Sequence, residues 1–340
     1  MTISPLLMTG FVIAAAVGFD FVNGFHDAAN TIATIVATRV LKPTQAVLWA
    51  ASFNFIALFL FGTGVAHMVG SGMIALDTVT PTVIFAGLLG AIAWGLITWW
   101  LGLPTSSSHA LLGSYAGAAA ANNVWQRGWG AAYDSIILSG WSGTLLFIVL
   151  APVLGLVLAE ILMKFVLFFF PKTRASKSKF WFGRLQLFSS AFLSLMHGSN
   201  DAQKTAGIIA SALVAGGLTR HFEIPEWVLW ISYGTMALGT LAGGWRIVNT
   251  MGRRLTRLNP ASGFCAETAA AFSILLATML HLPVSTTHTV TGAIIGVGAA
   301  RRLKAVRWSV AGNIAWAWVL TIPAAAAIGG LTMSIAFLLG

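Results

Sequence analysis

Charge is what this sequence has least of. Of 340 residues only 8% are Asp, Glu, Lys or Arg, against 57% apolar, whereas a water-soluble globular chain carries about 25% charged residues. Too little polar surface remains to cover a body in water. Two soluble domains, which the length alone would allow, are therefore excluded, and the apolar runs face lipid. Cysteine is nearly absent as well: Cys265 stands alone, which excludes an internal disulfide and any cysteine-based metal site. No Gly-x-x-x-x-Gly-Lys-Ser/Thr loop occurs, which argues against an ATP motor in this chain. The stretch Met1 to Phe11 has neither a basic leading region nor a clear cleavage site; it reads as the start of the first membrane helix, not as a signal peptide.

What is present suits a bilayer. The mean hydropathy is +0.85, and the 36 glycines and many alanines let helix backbones approach closely in lipid. The net charge of +10 does not read as a nucleic-acid footprint, because its cations gather between apolar runs. They form four groups: Arg39 and Lys42; Lys172, Arg174, Lys177, Lys179 and Arg184; Arg246, Arg253, Arg254 and Arg257; Arg301, Arg302, Lys304 and Arg307. That is the positive-inside pattern of cytoplasmic loops. The loops near Asp77, near Arg127 with Asp134, and near Arg220 with Glu223 and Glu226 are poor in cations and are expected outside. Most of the fourteen tryptophans, Trp125, Trp129, Trp227, Trp230 and Trp308 among them, fall near the ends of apolar runs, as interfacial belt residues do.

About 20 apolar residues cross the hydrocarbon core. Candidate runs are 4–38, 44–70, 81–102, 106–121, 134–170, 185–216, 226–248, 262–281, 285–300 and 306–339. The expected fold is an all-α integral membrane protein with about 10–12 membrane segments. The runs 134–170 and 306–339 are long enough for a tilted helix or for a helix with an added elbow. The runs 106–121 and 285–300, 16 residues each, give roughly 24 Å of helix against a core of about 30 Å, so re-entrant or half helices are expected there.

The chain also repeats itself. Gly24-Phe25-His26-Asp27-Ala28-Ala29-Asn30-Thr31 returns 174 residues later as Gly198-Ser199-Asn200-Asp201-Ala202-Gln203-Lys204-Thr205. Leu103-Pro104-Thr105-Ser106-Ser107-Ser108-His109 returns 179 residues later as Leu282-Pro283-Val284-Ser285-Thr286-Thr287-His288. The expected organisation is repeat one over 1–170, a basic cytoplasmic linker over 171–184, and repeat two over 185–340. The cation pattern makes repeat two inverted in the membrane and puts both termini outside. Inverted repeats with broken helices are how secondary transporters build a midplane site.

Ionisable groups within apolar runs cost about 2.5–3.5 kcal/mol each on insertion scales and are functional candidates. They are Asp20, His26, Asp27, His109, Glu160, His197, Asp201, Lys204, Glu267 and His288, and most lie in or beside the repeated motifs. In the first motif Asp27 and Asn30 are three apart, and Asp201 and Lys204 take the same places in its second copy. Gly24 and Gly198 beside them permit an unwound backbone, whose free carbonyls with a carboxylate and an amide oxygen would make a hard-oxygen cation site. The Lys204 ammonium could occupy such a site and neutralise Asp201; the alternative is a buried pair that only holds helices in register. In the second motif a proline precedes Thr105, Ser106, Ser107 and Ser108, and again Ser285, Thr286 and Thr287. Hydroxyl caps at a helix N-terminus bind tetrahedral anions, though capping alone would explain one copy. His109 and His288 either pack or handle protons, and Glu267 is a further candidate for proton coupling. Glu160 and Lys164 read as an i, i+4 pair, and Gly292-x-x-x-Gly296 as a packing motif.

At these residues the chain resembles the inorganic phosphate transporter (PiT) family, which carries a doubled Gly-x-Asn-Asp-x-x-Asn-Ala-type signature and a Pro-x-Ser-Ser-x-His-type segment in each half. The resemblance implies that Asp27, Asn30, Asn200 and Asp201 line a cation and phosphate site and that Ser106, Ser107, Thr286 and Thr287 contact phosphate. Phe25-His26 before Asp27, and Gln203-Lys204 after Asp201, are similar to the bacterial branch that couples phosphate to protons or carries a neutral metal–phosphate complex. On that reading sodium coupling is disfavoured, and Asp27 and Asp201 are candidate metal ligands. The expected activity is symport of inorganic phosphate across the bacterial inner membrane by alternating access. Protons or a divalent metal travel with it, with no tightly bound cofactor, lipid as surroundings, no nucleic-acid partner and, as often in the family, a homodimer. The alternatives are sodium-coupled phosphate or sulfate transport and, from another class, a membrane-embedded phosphatase.

Overall fold

The computed structural model describes residues 4–170 and 175–339. Lys172 and Arg174 of the expected linker lie outside the described residues, as does the Lys177 side chain. Twelve α-helices are described: α1 (Pro5–Ala37), α2 (Pro43–Ile56), α3 (Gly64–Ser71), α4 (Pro81–Leu101), α5 (Ser107–Arg127), α6 (Leu138–Phe169), α7 (Ala175–Ala215), α8 (Glu226–Ala242), α9 (Trp245–Asn249), α10 (Pro260–Met279), α11 (Thr286–Arg301) and α12 (Trp308–Leu339). The protein is an all-α integral membrane protein. Five described helices, α1, α4, α6, α10 and α12, are long and apolar enough to cross a bilayer, and α2 with α3 forms a further candidate span bent by 85°.

Helix starts follow local chemistry. Proline opens α1, α2, α4 and α10, where a missing N–H costs nothing, and Ser4, Thr80 and Asn259 accept from the first turn. The two long runs are single helices of 32 residues, α6 and α12, with Pro152 and Pro323 inside them. The helix α7 takes in 175–184, because lysines and arginines without a proline among them favour helix. The helix α5 continues past the apolar run through Asn122 and Asn123 to Arg127. Its 21 residues reach about 31 Å, so the length argument for a half helix applies to the 16 residues of α11 but not to α5.

Both short motifs sit at the tips of helical hairpins. The helix α4 ends at Gly102 (φ 68°) and α5 runs back along it, with Gly87 against the backbone of Tyr115 and Gly90 against Ser114. In the second copy His281 (φ 59°) holds the place of Gly102 before α11 returns along α10. A non-glycine residue there costs some backbone strain.

The expectation of an unwound backbone at the first motif is overturned. Residues 24–31 lie within α1 and 198–205 within α7, helical throughout. Gly24 and Gly198 serve packing instead: a Cβ on Gly24 would strike the Met236 carbonyl of α8, and one on Gly198 the Asn54 carbonyl of α2. The hairpin helices pack by the same device. Gly292 and Gly296 of α11 lie against the Pro152 and Leu156 carbonyls of α6, while Gly113 and Gly117 of α5 lie against Ile322 and Ala326 of α12. Each half's hairpin helix therefore rests on the long helix of the other half.

Candidate functional site

The middles of α1 and α7 meet the two hairpin tips in one buried cluster. Helix periodicity puts Asn23, His26, Asp27 and Asn30 on one face of α1, and His197, Asn200, Asp201 and Lys204 on the matching face of α7. Each tip begins with a serine cap: Ser106 Oγ accepts from His109 N at 3.1 Å, and Ser285 Oγ accepts from His288 N at 3.1 Å. The caps turn the next hydroxyls toward the motif helices, and the two copies make matching contacts. Ser107 donates to Asp27 Oδ2 at 2.7 Å, and its counterpart Thr286 donates to Asp201 Oδ2 at 3.0 Å. Across the halves, Asn30 Nδ2 donates to Thr287 Oγ1 at 2.9 Å, and its counterpart Lys204 donates through Nζ to Ser108 Oγ. Asn30 also reaches Thr286 at 3.2 Å, and Thr287 reaches Asp27 Oδ1 at 3.4 Å.

The residues beside the aspartates hold the tips. Asn200 spends its amide on them: Nδ2 donates to Thr278 Oγ1 at 3.0 Å and to the Leu282 carbonyl at 3.1 Å, and Oδ1 accepts from Val284 N at 3.2 Å. His26, its counterpart, lies 2.7 Å from Asp27 Oδ1 through Nδ1 and 3.2 Å from Thr98 Oγ1 through Nε2. Thr105 donates to Thr98 at 2.9 Å. Asp27, Asn30, Asp201 and Lys204 are no more than 2% exposed, so the cluster is closed to both sides.

Charge is concentrated here. Asp201 lies 2.5 Å from Lys204 Nζ and 3.1 Å from His197 Nε2. Donor atoms of Asp27, His197 and Asp201 all lie within 4.8 Å of one another, close enough to converge on a metal ion. Asp27 and Asp201 were expected as such ligands; His197 was not, although the 174-residue offset pairs it with Asn23. Ser108, part of the hydroxyl run but not among the residues that the resemblance assigns to phosphate, accepts from Lys204 and donates to the Val284 carbonyl at 3.2 Å.

Three expected residues lie apart from the aspartates. His109 and His288 sit a turn behind the tips with their rings 4.7 Å apart, and His288 stacks on Trp318 at 4.0 Å. Glu267 belongs to another buried cluster, accepting from Thr34 at 2.5 Å, Gln186 at 2.8 Å and Ser189 at 2.5 Å. A further buried carboxylate, Asp20, accepts from Thr205 at 2.8 Å. Glu160 and Lys164 pair at 2.6 Å on the surface of α6.

Charged and hydroxyl groups gathered in the interior of an all-helical membrane protein mark a functional site. The chain belongs to the phosphate transporter family: the PHO4 family model matches residues 23–329. It is 53% identical over 328 residues to a probable low-affinity inorganic phosphate transporter of Rhizobium meliloti (strain 1021), covering 96% of this chain and 95% of that one. It is 40% identical to one of Bacillus subtilis (strain 168), covering 96% of each. Its fold is similar to the solved structure of a sodium-dependent phosphate transporter, with a TM-score of 0.82 at 24% identity, covering 98% of this chain and 99% of that one. The family is one of transporters, not enzymes, which sets the phosphatase reading aside.

Proposed function

We propose that this chain is a secondary symporter that imports inorganic phosphate by alternating access, its two halves inverted in a bacterial inner membrane. The observation that carries the reading is the mirrored pair Ser107–Asp27 and Thr286–Asp201. Two hydroxyl-bearing helix N-termini face each other across two carboxylates, and each terminus carries first-turn N–H groups that the helix itself leaves unpaired. Those groups with Ser107, Ser108, Thr286 and Thr287 suit a tetrahedral oxyanion. Asn30 lies against the tip of α11 with Oδ1 making no hydrogen bond, an acceptor for a cation or a phosphate hydroxyl.

Charge supports coupling to a cation. With both aspartates ionised and Lys204 charged, the cluster carries one net negative charge before phosphate arrives. A phosphate dianion therefore needs positive company, and moving charge inward against the membrane potential costs about 2.3 kcal/mol per charge per 100 mV. Protons on the cluster, or a divalent metal entering with phosphate against Asp27, His197 and Asp201, would cancel both penalties. Two cavities of about 260 Å³ flank the site, one walled by Phe61, Gln203, Thr278 and His281, the other by Val36, Trp245, Asn249 and Arg253. Arg253 belongs to a cation-rich segment expected inside, so these cavities suit an outer and an inner approach.

Counterflow of radiolabelled phosphate in proteoliposomes, under separate pH, sodium and magnesium gradients, tests the proposal. The expected result is uptake driven by a proton or metal gradient. Uptake driven by sodium alone, or preferential competition by sulfate, would overturn the coupling or the substrate respectively.

A further inference from the structure

The two copies of the first motif differ at several contacting positions, and at one of them a neutral amide is exchanged for an ammonium. Asn30 in α1 corresponds to Lys204 in α7, and both reach the second hydroxyl of the opposite tip. Lys204 does more. Its Nζ donates to a carboxylate oxygen of Asp201 at 2.5 Å, to the Val284 carbonyl at 2.8 Å and to the Ser108 hydroxyl. Carboxylate, carbonyl and hydroxyl oxygens are the ligand chemistry of a hard monovalent cation. All three converge on one ammonium that is 2% exposed.

We infer that Lys204 is a tethered co-ion: its ammonium permanently fills a monovalent-cation position in the second half, so that this half takes up no sodium. The inference rests on reading the cluster as the transport site. An ammonium has three donors and finds three acceptors here, so it satisfies the position as an ion would. Being covalently held, it cancels the charge of Asp201 in both the loaded and the unloaded protein and moves none across the membrane. Asn30, with its neutral amide, leaves the first half free for the ion that does travel. If Lys204 served only to keep α7 in register with the tips, any residue that preserved packing would serve, and sodium would have no effect on its variants.

Lys204→Asn, which repeats the first half, and Lys204→Met, which keeps bulk without an oxygen ligand, separate these cases. Phosphate uptake is measured in proteoliposomes with sodium or choline as the external cation, and thermal unfolding of the detergent-purified proteins is followed in the same salts. The wild type is expected to be indifferent to sodium. In choline, Lys204→Asn should lose about 100-fold or more in uptake, the factor that leaving one partner of a buried ion pair alone implies, and sodium should restore it saturably. Lys204→Met should stay low in both salts. Should Lys204→Asn be inactive throughout, stabilisation of that variant by sodium, absent in the wild type, would still support the inference, and no stabilisation would overturn it. Wild-type-like uptake by Lys204→Asn in choline, or sodium-dependent uptake by the wild type, would also overturn it. Failure of the wild type to take up phosphate at all would strike the proposed function instead.

Discussion

The mirrored tip contacts make a prediction that a one-sided site does not. Ser107→Ala removes the hydroxyl that donates to Asp27 Oδ2 at 2.7 Å, and Thr286→Val removes the one that donates to Asp201 Oδ2 at 3.0 Å. Hydrogen bonds to charged groups contribute about 1.5–3 kcal/mol each, which corresponds to a loss of about 10- to 150-fold per variant. Both residues lie in the first turn of their helices, and the caps Ser106 and Ser285 remain, so the tips should still form. The loss is expected in the phosphate uptake rate at low substrate, measured in proteoliposomes matched for protein content. The double variant should lose less than the product of the singles, because both hydroxyls face one small cluster. Wild-type uptake by either single variant would refute the argument. So would a large effect at one tip with none at the other, since the contacts are equivalent by position and nearly equal in length.

Other consequences can be measured separately. Gly198→Leu drives a side chain into the Asn54 carbonyl of α2; overpacking of this kind costs about 1–3 kcal/mol or more, and a lowered unfolding temperature in detergent checks it. Glu267→Leu leaves Thr34, Gln186 and Ser189 without their shared acceptor, at about 1–3 kcal/mol for each donor left unpaired, and the same melt should show it. His197→Gln should weaken metal-stimulated phosphate uptake more than proton-driven uptake if the Asp27, His197 and Asp201 donors hold the metal; equal effects on both would remove His197 from that role. Cys265 is fully buried and should resist maleimide in native membranes, reacting only after denaturation.

Much of the site was legible because it is written twice. The offsets of 174 and 179 residues mark Asp27, Asp201 and both hydroxyl runs in the sequence itself, and length against the bilayer separates membrane helices from loops. What the sequence concealed was which contacts cross between halves. No local pattern says that Ser108 meets Lys204, or that α5 rests on α12, because those pairings join residues far apart in the chain. The glycines show the limit most clearly. Gly24 and Gly198 suggested an unwound backbone on conformational grounds, yet each lacks a side chain because a neighbouring helix's carbonyl takes the space. A glycine in a membrane helix fits both explanations, and only the neighbour decides between them. His26 and Asn200 are aligned by the repeat, but one is an imidazole and the other an amide, so their shared role of holding their own hairpin tip shows only in the contacts.

Under the proposed alternating access, the bonding pattern constrains how the site opens. Asp27–Ser107 and Asp201–Thr286 each join a motif helix to the hairpin of its own half, as do His26 with Thr98 and Asn200 with Thr278. Asn30–Thr286, Asn30–Thr287, Thr287–Asp27, Lys204–Ser108 and Ser108–Val284 cross between halves. A rocking motion that keeps each half rigid retains the first set, must break members of the second, and must also shift α5 against α12 and α11 against α6. Two neutral hydrogen bonds from Asn30 and a longer one from Thr287 to Asp27 close one side, whereas the crossing on the other involves an ammonium that keeps Asp201 as a partner after it lets go of Ser108. The two crossings are therefore not equal in energy: an amide returns to no charged neighbour, and an ammonium does. Breaking the Lys204 crossing leaves a satisfied ion pair, while breaking the Asn30 crossing leaves a buried amide that only water or cargo can satisfy. A symmetric pattern of contacts thus carries an asymmetric preference, set by the one position where the two copies of the motif differ in charge.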